Sequence, residues 1–126
     1  NLASRLESLT KKYGVELLVS DTVAAAAEGA FRFRTIDTVR VVGRQAPVTI
    51  FSVVDGAETP AWFERHERGW THYRGREFRE AGECFAACAG LGLDDACLRQ
   101  MLARCRELAA SPPNEAWEPV RQMEGK

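Results

Sequence analysis

Leu2, Leu6, Leu9 and Tyr13 recur at spacings of four, three and four, which is one apolar stripe on a helix with Glu7 and Lys11 paired on the outer side. Gly14 suits the left-handed cap that closes such a helix. The almost wholly apolar run 15–19 predicts a short strand buried on both faces. Ser20 or Asp21 then caps a short alanine-rich helix over 22–28, closed by Gly29. From Phe31 the period changes to two. Phe31 and Phe33 alternate with Arg32 and Arg34, and the pattern runs on to Val42, predicting a long strand bent near 35–37. Residues 43–47 make a turn, and 48–54 return as the antiparallel partner.

Residues 56–60 read as a hinge, and beyond Pro60 the pattern is helical. Trp62, His66, Trp70 and Tyr73 form one stripe, and Gly75 breaks it. Phe78, Ala81, Phe85 and Cys88 form a second stripe. Gly92 and Asp94-Asp95 punctuate and cap, and Cys97, Met101, Leu102, Cys105 and Leu108 form a third. The expectation is an α+β unit over 1–56 (helix, strand, short helix, antiparallel β-hairpin) and an α-helical hairpin or three-helix extension over 57–126.

Composition changes this picture little. A chain of 126 residues suits one domain, or a domain piece with an appendage. Seven Lys/Arg stand against six Asp/Glu through Gly56, and ten against twelve beyond it. No basic face of the kind nucleic-acid binding needs stands out, so no nucleic-acid partner is expected. No apolar run approaches the roughly 18–20 residues of a membrane span, so no membrane contact is expected within the segment. Without an initiator Met or a signal peptide, the chain reads as a piece of something longer.

Cys84, Cys88, Cys97 and Cys105 form no CxxC pair and read as buried free thiols, in keeping with a cytoplasmic protein. His66 and His72 are six apart, nearly opposite on a helix, and read as packing or surface residues rather than a zinc pair. Asp21, Asp37 and Asp55 read as caps and turn residues. The Phe/Arg alternation at 31–34 could offer a base-stacking platform, but an ordinary half-buried strand is favoured.

The candidate chemistry sits on the first helix. Asn1 and Arg5 are four apart beside the apolar stripe, so they project together over one turn. An amide that positions an oxygen and a guanidinium that neutralises phosphate charge suit an anionic, oxygen-rich ligand.

N-L-A-S-R-L-E also resembles the N-x-A-S-R motif of class III nucleotidyl (adenylate/guanylate) cyclases. The phrase I-D-T-V-R-V-V-G-R-Q-A-P-V-T-I-F is similar to that family's terminal hairpin. The resemblance covers residues 1–54 and implies the closing portion of the ferredoxin-like class III cyclase fold. It implies formation of a 3′,5′-cyclic nucleotide and pyrophosphate from ATP or GTP, with cyclic AMP taken ahead of cyclic GMP. Asn1 and Arg5 would be the transition-state pair. Two divalent metal ions (Mg²⁺ or Mn²⁺) would be held by aspartates upstream of this chain, with none bound by the fragment. The active site would form between the subunits of a homodimer, and the fragment alone would be inactive. A cytoplasmic location follows, with an upstream membrane anchor left open.

One departure stands out. The family usually carries a Lys directly before the turn glycine, contacting the nucleotide's phosphates, and here that position is Val42. Arg44 or Arg40 could reach in instead, Arg44 being the phosphate-binding candidate beside its plainer reading as a solvated turn residue. The alternative is a degenerate cyclase-homology domain that serves as a dimerising or regulatory module with a protein-binding helical tail.

G-W-T-H-Y-R-G-R-E-F-R-E-A-G-E-C-F resembles a tetratricopeptide helical hairpin. A single repeat cannot bury its own faces, so docking on the cyclase piece or on a dimer mate is expected. A tail closing in Pro112, Pro113, Trp117 and Lys126 is similar to those that follow bacterial class III cyclase domains.

Overall fold

The computed structural model describes residues 2–15, 18–27, 29–41, 43 and 46–122, with side chains from residue 6 onward. The chain divides into two compact units, Asn1–Ala57 with Val120–Lys126, and Glu58–Pro119.

The first unit is α+β. Helix α1 (Leu2–Tyr13) buries Leu6, Leu9 and Tyr13, the stripe expected of it. Gly14 ends the helix at a φ of 67°, and its N–H reaches back to the Thr10 carbonyl at 2.9 Å. Strand β1 (Val19–Ser20) is shorter than the run 15–19 predicts, and residues 16 and 17 of that run lie outside the described residues. Helix α2 (Asp21–Ala26) begins at Ser20, whose hydroxyl accepts from the Val23 N–H at 3.4 Å.

Strands β2 (Arg32–Arg40) and β3 (Val48–Val54) form the expected antiparallel hairpin. Thr35 pairs with Phe51 and Asp37 with Ile50, so Ile36 is the extra residue of a β-bulge. This accounts for the bend at 35–37. The sheet order is β1-β3-β2 with one further strand, β4 (Arg121–Gln122), on the outer edge of β2.

One expectation is corrected here. Residues 121–122 were assigned to the helical extension 57–126, yet they pair in parallel with Val39 and Arg40. A strand of two exposed residues carries no hydrophobic period from which it could be read. The stretch 31–34 is half-buried, the reading favoured for it, with Arg32 and Phe33 both partly exposed. Arg34 is 4% exposed while Phe31 is 58% exposed.

The second unit is helical: α3 (Phe63–Arg74), α4 (Phe78–Gly90) and α5 (Ala96–Ala110). Asp95 caps α5 by accepting from the Leu98 N–H at 2.9 Å. The core gathers Trp70, Tyr73, Phe78, Ala81, Phe85, Cys88, Leu98, Met101 and Cys105, largely the predicted stripes. At Gly69 a Cβ would stand 2.9 Å from the Phe85 ring, so this glycine sets how closely α3 and α4 approach. His66 is fully buried, edge-on to Trp62 and Phe85 at centroid distances of 5.9 and 5.4 Å. After α5 the chain folds back over the α3–α4 corner. The Arg76 guanidinium donates to the Pro113 and Asn114 carbonyls and lies 5.5 Å from the Trp117 ring.

Candidate functional site

The expected site is built on α1 and on the turn that follows β2. Arg5 lies within α1, but its side chain, with all of Asn1, Val42 and Arg44, lies outside the described residues. What the structure describes is the frame that holds these positions. Leu6 and Leu9 set the buried face of α1, and Tyr13 fixes its last turn.

The Tyr13 hydroxyl donates to Asp37 Oδ2 at 2.6 Å inside the fold. The other carboxylate oxygen, Oδ1, accepts from the Thr38 N–H at 2.8 Å. Asp37 is fully buried and lies within β2, so its reading as a turn residue is corrected. A buried carboxylate is expensive unless hydrogen-bonded, and here both oxygens have donors. Sequence reasoning missed the residue because an acid beside a thought-to-be bend resembles turn chemistry. Its setting among Ile36, Thr38 and Val39 was the available signal.

Beyond Asp37, the Thr38 and Thr49 hydroxyls meet across the hairpin at 3.0 Å. Val41 is buried, and Gly43 adopts a φ of 88°, a conformation that favours glycine. The turn is therefore entered from a rigid strand. Arg40 is half-buried and already engaged within the fold. On its other side runs β4, carrying Arg121, another residue the sequence reading did not single out.

The chain was compared with known proteins. It is 39% identical over 54 residues to "Adenylate cyclase 1" of Rhizobium meliloti (strain 1021). That match takes in 43% of this chain and 8% of the relative, so the chain spans only a small part of that protein. No protein-family model matches the chain, and no solved structure does.

Further chemistry-bearing residues lie in the second unit. The four cysteines are free, with Cys88, Cys97 and Cys105 buried. Burial raises the Cys84 thiol above its ordinary value against the opposing charges of Arg68 and Arg65. His66 Nδ1 stands 2.9 Å from Glu67, and His72 Nδ1 stands 2.8 Å from Glu77. A cleft of about 570 Å³ lies at the far end of the hairpin from the turn, lined by Gly29, Phe31, Arg32, Val54 and Asp55. Among the described residues no three His, Cys, Asp or Glu side chains gather to hold a metal ion. No described helix is long and apolar enough to cross a membrane.

Proposed function

We propose that this chain is the closing part of a class III nucleotidyl cyclase catalytic domain, followed by a tetratricopeptide-like helical extension. The observation that carries the reading is the 39% identity over 54 residues to an adenylate cyclase. The order helix, strand, short helix, antiparallel hairpin in the first unit is consistent with it.

In this reading the parent protein takes ATP, or GTP, in the cytoplasm. The ribose 3′-oxygen attacks the α-phosphorus, the 3′-hydroxyl gives up its proton, and pyrophosphate leaves. Arg5 donates a fork of hydrogen bonds to the α-phosphate oxygens as charge grows on them, and Asn1 holds the ribose in line for attack. Two divalent ions, Mg²⁺ or Mn²⁺, assist the displacement. The parent holds those on residues outside this chain. A homodimer brings the two halves of the site together, one subunit giving the Asn1/Arg5 helix and its partner the metal side. The helical extension offers a surface for a protein partner.

The test is cyclic AMP and cyclic GMP formation by the full-length parent with Mg²⁺ or Mn²⁺. Arg5→Ala lowers kcat by about 10²–10³. An active parent whose turnover survives Arg5→Ala sinks the assignment.

Val42 favours a second reading, since valine supplies neither charge nor donor where the family carries lysine. A domain degenerate at this point would persist as a dimerising, regulatory module. Tight dimers that bind no nucleotide mark that outcome, and turnover gained in Val42→Lys marks a weakened enzyme.

A further inference from the structure

We infer that the cleft at the open end of the β2–β3 hairpin binds an organic cation, an alkyl guanidinium, between the ring of Phe31 and the carboxylate of Asp55. The site lies wholly within the first unit and does not depend on the cyclase reading.

Register brings the two side chains together. β2 and β3 pair antiparallel, with Phe33 beside Val53 and Arg32 beside Val54. One step further along the same register sets Phe31 opposite Asp55. Faces alternate along a strand, so both fall on the face of Phe33 and Val53, while Arg32 and Val54 take the other. Side chains directly opposed on one face are near neighbours.

Past this point the strands part. Gly29 and Gly56 hold left-handed φ values of 91° and 103°, which turn both chains aside and open a cleft of about 570 Å³. That volume falls in the range of small-molecule sites, roughly 300–1,000 Å³.

The chemistry of the cleft is one-sided. Phe31 is 58% exposed, a large apolar ring left facing water, yet it is held in place. It meets Phe33 edge-on at 6.3 Å, and Phe33 meets Phe51 at 6.4 Å. Asp55 is exposed, and its carboxylate has no hydrogen-bond or ion-pair partner among the described residues. Arg32 also lines the cleft, but it is half-buried and already engaged within the fold. A ring presents a negative face and a carboxylate a full negative charge, so a cation attracts both. A guanidinium serves both at once, stacking on the ring while forking its N–H groups onto the carboxylate. Because neighbouring rings fix Phe31, little ordering cost falls on binding.

The experiment titrates the 126-residue chain with two probes and follows ¹⁵N–¹H chemical shifts. Butylguanidine is a free cation, and acetyl-arginine methylamide carries the same group as a peptide side chain. The expected result is saturable shifts confined to amides 29–32 and 55–57, with a Kd of about 1–10 mM. Tighter binding of the arginine derivative marks a peptide side chain as the natural source, and tighter binding of butylguanidine marks a free cation. Asp55→Asn and Phe31→Leu are each expected to raise Kd about three- to fivefold. Both positions are exposed, and leucine keeps the apolar bulk, so the fold is retained in each. Butylurea, planar but neutral, is expected not to bind.

The absence of saturable shifts with either probe overturns the site. So does butylurea binding as well as butylguanidine, or an unchanged Kd in either variant. Each of these results leaves the cyclase reading standing.

Discussion

Tyr13, the last residue of α1, donates its phenolic proton to the carboxylate of Asp37 at 2.6 Å, joining residues 24 apart in the chain. Asp37 sits directly after the bulged Ile36, where β2 resumes its pairing with β3. The bulge turns the carboxylate to the side on which α1 lies, and the hydroxyl locks the helix to that point. A helix pinned at its last turn and seated through Leu6 and Leu9 has a fixed rotational phase. The rotational phase of the helix that includes position 5 is therefore set by a contact two turns away.

Removing the phenolic oxygen tests this. In Tyr13→Phe the ring stays but a fully buried carboxylate loses the hydroxyl donor at 2.6 Å, which costs about 1–3 kcal/mol. Urea unfolding should show a lower midpoint with an unchanged slope. In the parent protein kcat should fall while KM moves less, because the variant disturbs aim rather than charge. Unfolding within about 0.5 kcal/mol of wild type, the ordinary range for an inconsequential substitution, would count against the contact's importance.

Gly69 sets two effects against each other. Alanine in a helix interior is favoured over glycine by about 1 kcal/mol. The added Cβ, however, would lie 2.9 Å from two Phe85 ring atoms and 3.2 Å from Cys84 Cβ. The ring is wedged edge-on between His66 and Trp70, so it has little room to retreat, and overpacking costs about 1–3 kcal/mol. Gly69→Ala should therefore be net destabilising in thermal unfolding. Phe85→Leu in the same chain should be less harmful than Phe85→Leu alone, because the two changes share the space and are not additive.

Arg76 has a φ of 64°, which an L-residue adopts at a cost of about 1–2 kcal/mol. The position holds arginine because the guanidinium ties down the Pro113 and Asn114 carbonyls and covers Trp117, which meets Tyr73 and Phe78 edge-on at 5.4 and 5.1 Å. Arg76→Ala keeps the strain and loses the contacts, and should lower the unfolding free energy by about 1–2 kcal/mol. Arg76→Gly loses the same contacts but relieves the strain, so it should be the milder variant. The reverse order in denaturant melts would show that backbone strain is not what separates them.

The elements were legible wherever one period ran for about seven residues or more. The stripes of α1, α3, α4 and α5 and the hairpin fall where apolar spacing puts them, because burial of one face dictates that spacing. What escaped was decided by tertiary contact. Asp37 reads as a turn residue until Tyr13 is brought to it from another element. Arg34 is buried and Phe31 exposed because the packing of the sheet, not local alternation, chooses the face. Arg121 lies in a strand of two residues that exists only because the β2 edge is there to receive it. The candidate pair Asn1 and Arg5 was legible through spacing and resemblance alone. The structure adds the anchoring of their helix.

One thiol of the second unit, Cys105, should contribute measurably to an alkaline loss of stability. Cys105 is fully buried among Met101, Ala81 and their neighbours. Burial pushes its thiol from the ordinary 9.0 up to about 11, with the charge of Arg104 opposing. In the unfolded chain the thiol ionises near its ordinary value, so between those two pH values the unfolded state binds fewer protons than the folded one. Stability is then full below about pH 9 and falls as pH rises toward 11. Integrated to pH 10.5, the loss from this one group comes to about 2 kcal/mol. Cys105→Ala removes that term and adds a modest, pH-independent packing cost. Urea midpoints of the two proteins should therefore differ most near pH 8, where wild type is the more stable, and converge or cross by pH 10.5. Tyrosine and lysine titrations are common to both chains and cancel in the comparison. Parallel curves across that range would show that the folded thiol ionises with the bulk, and that the interior around Cys105 opens to water before the chain unfolds.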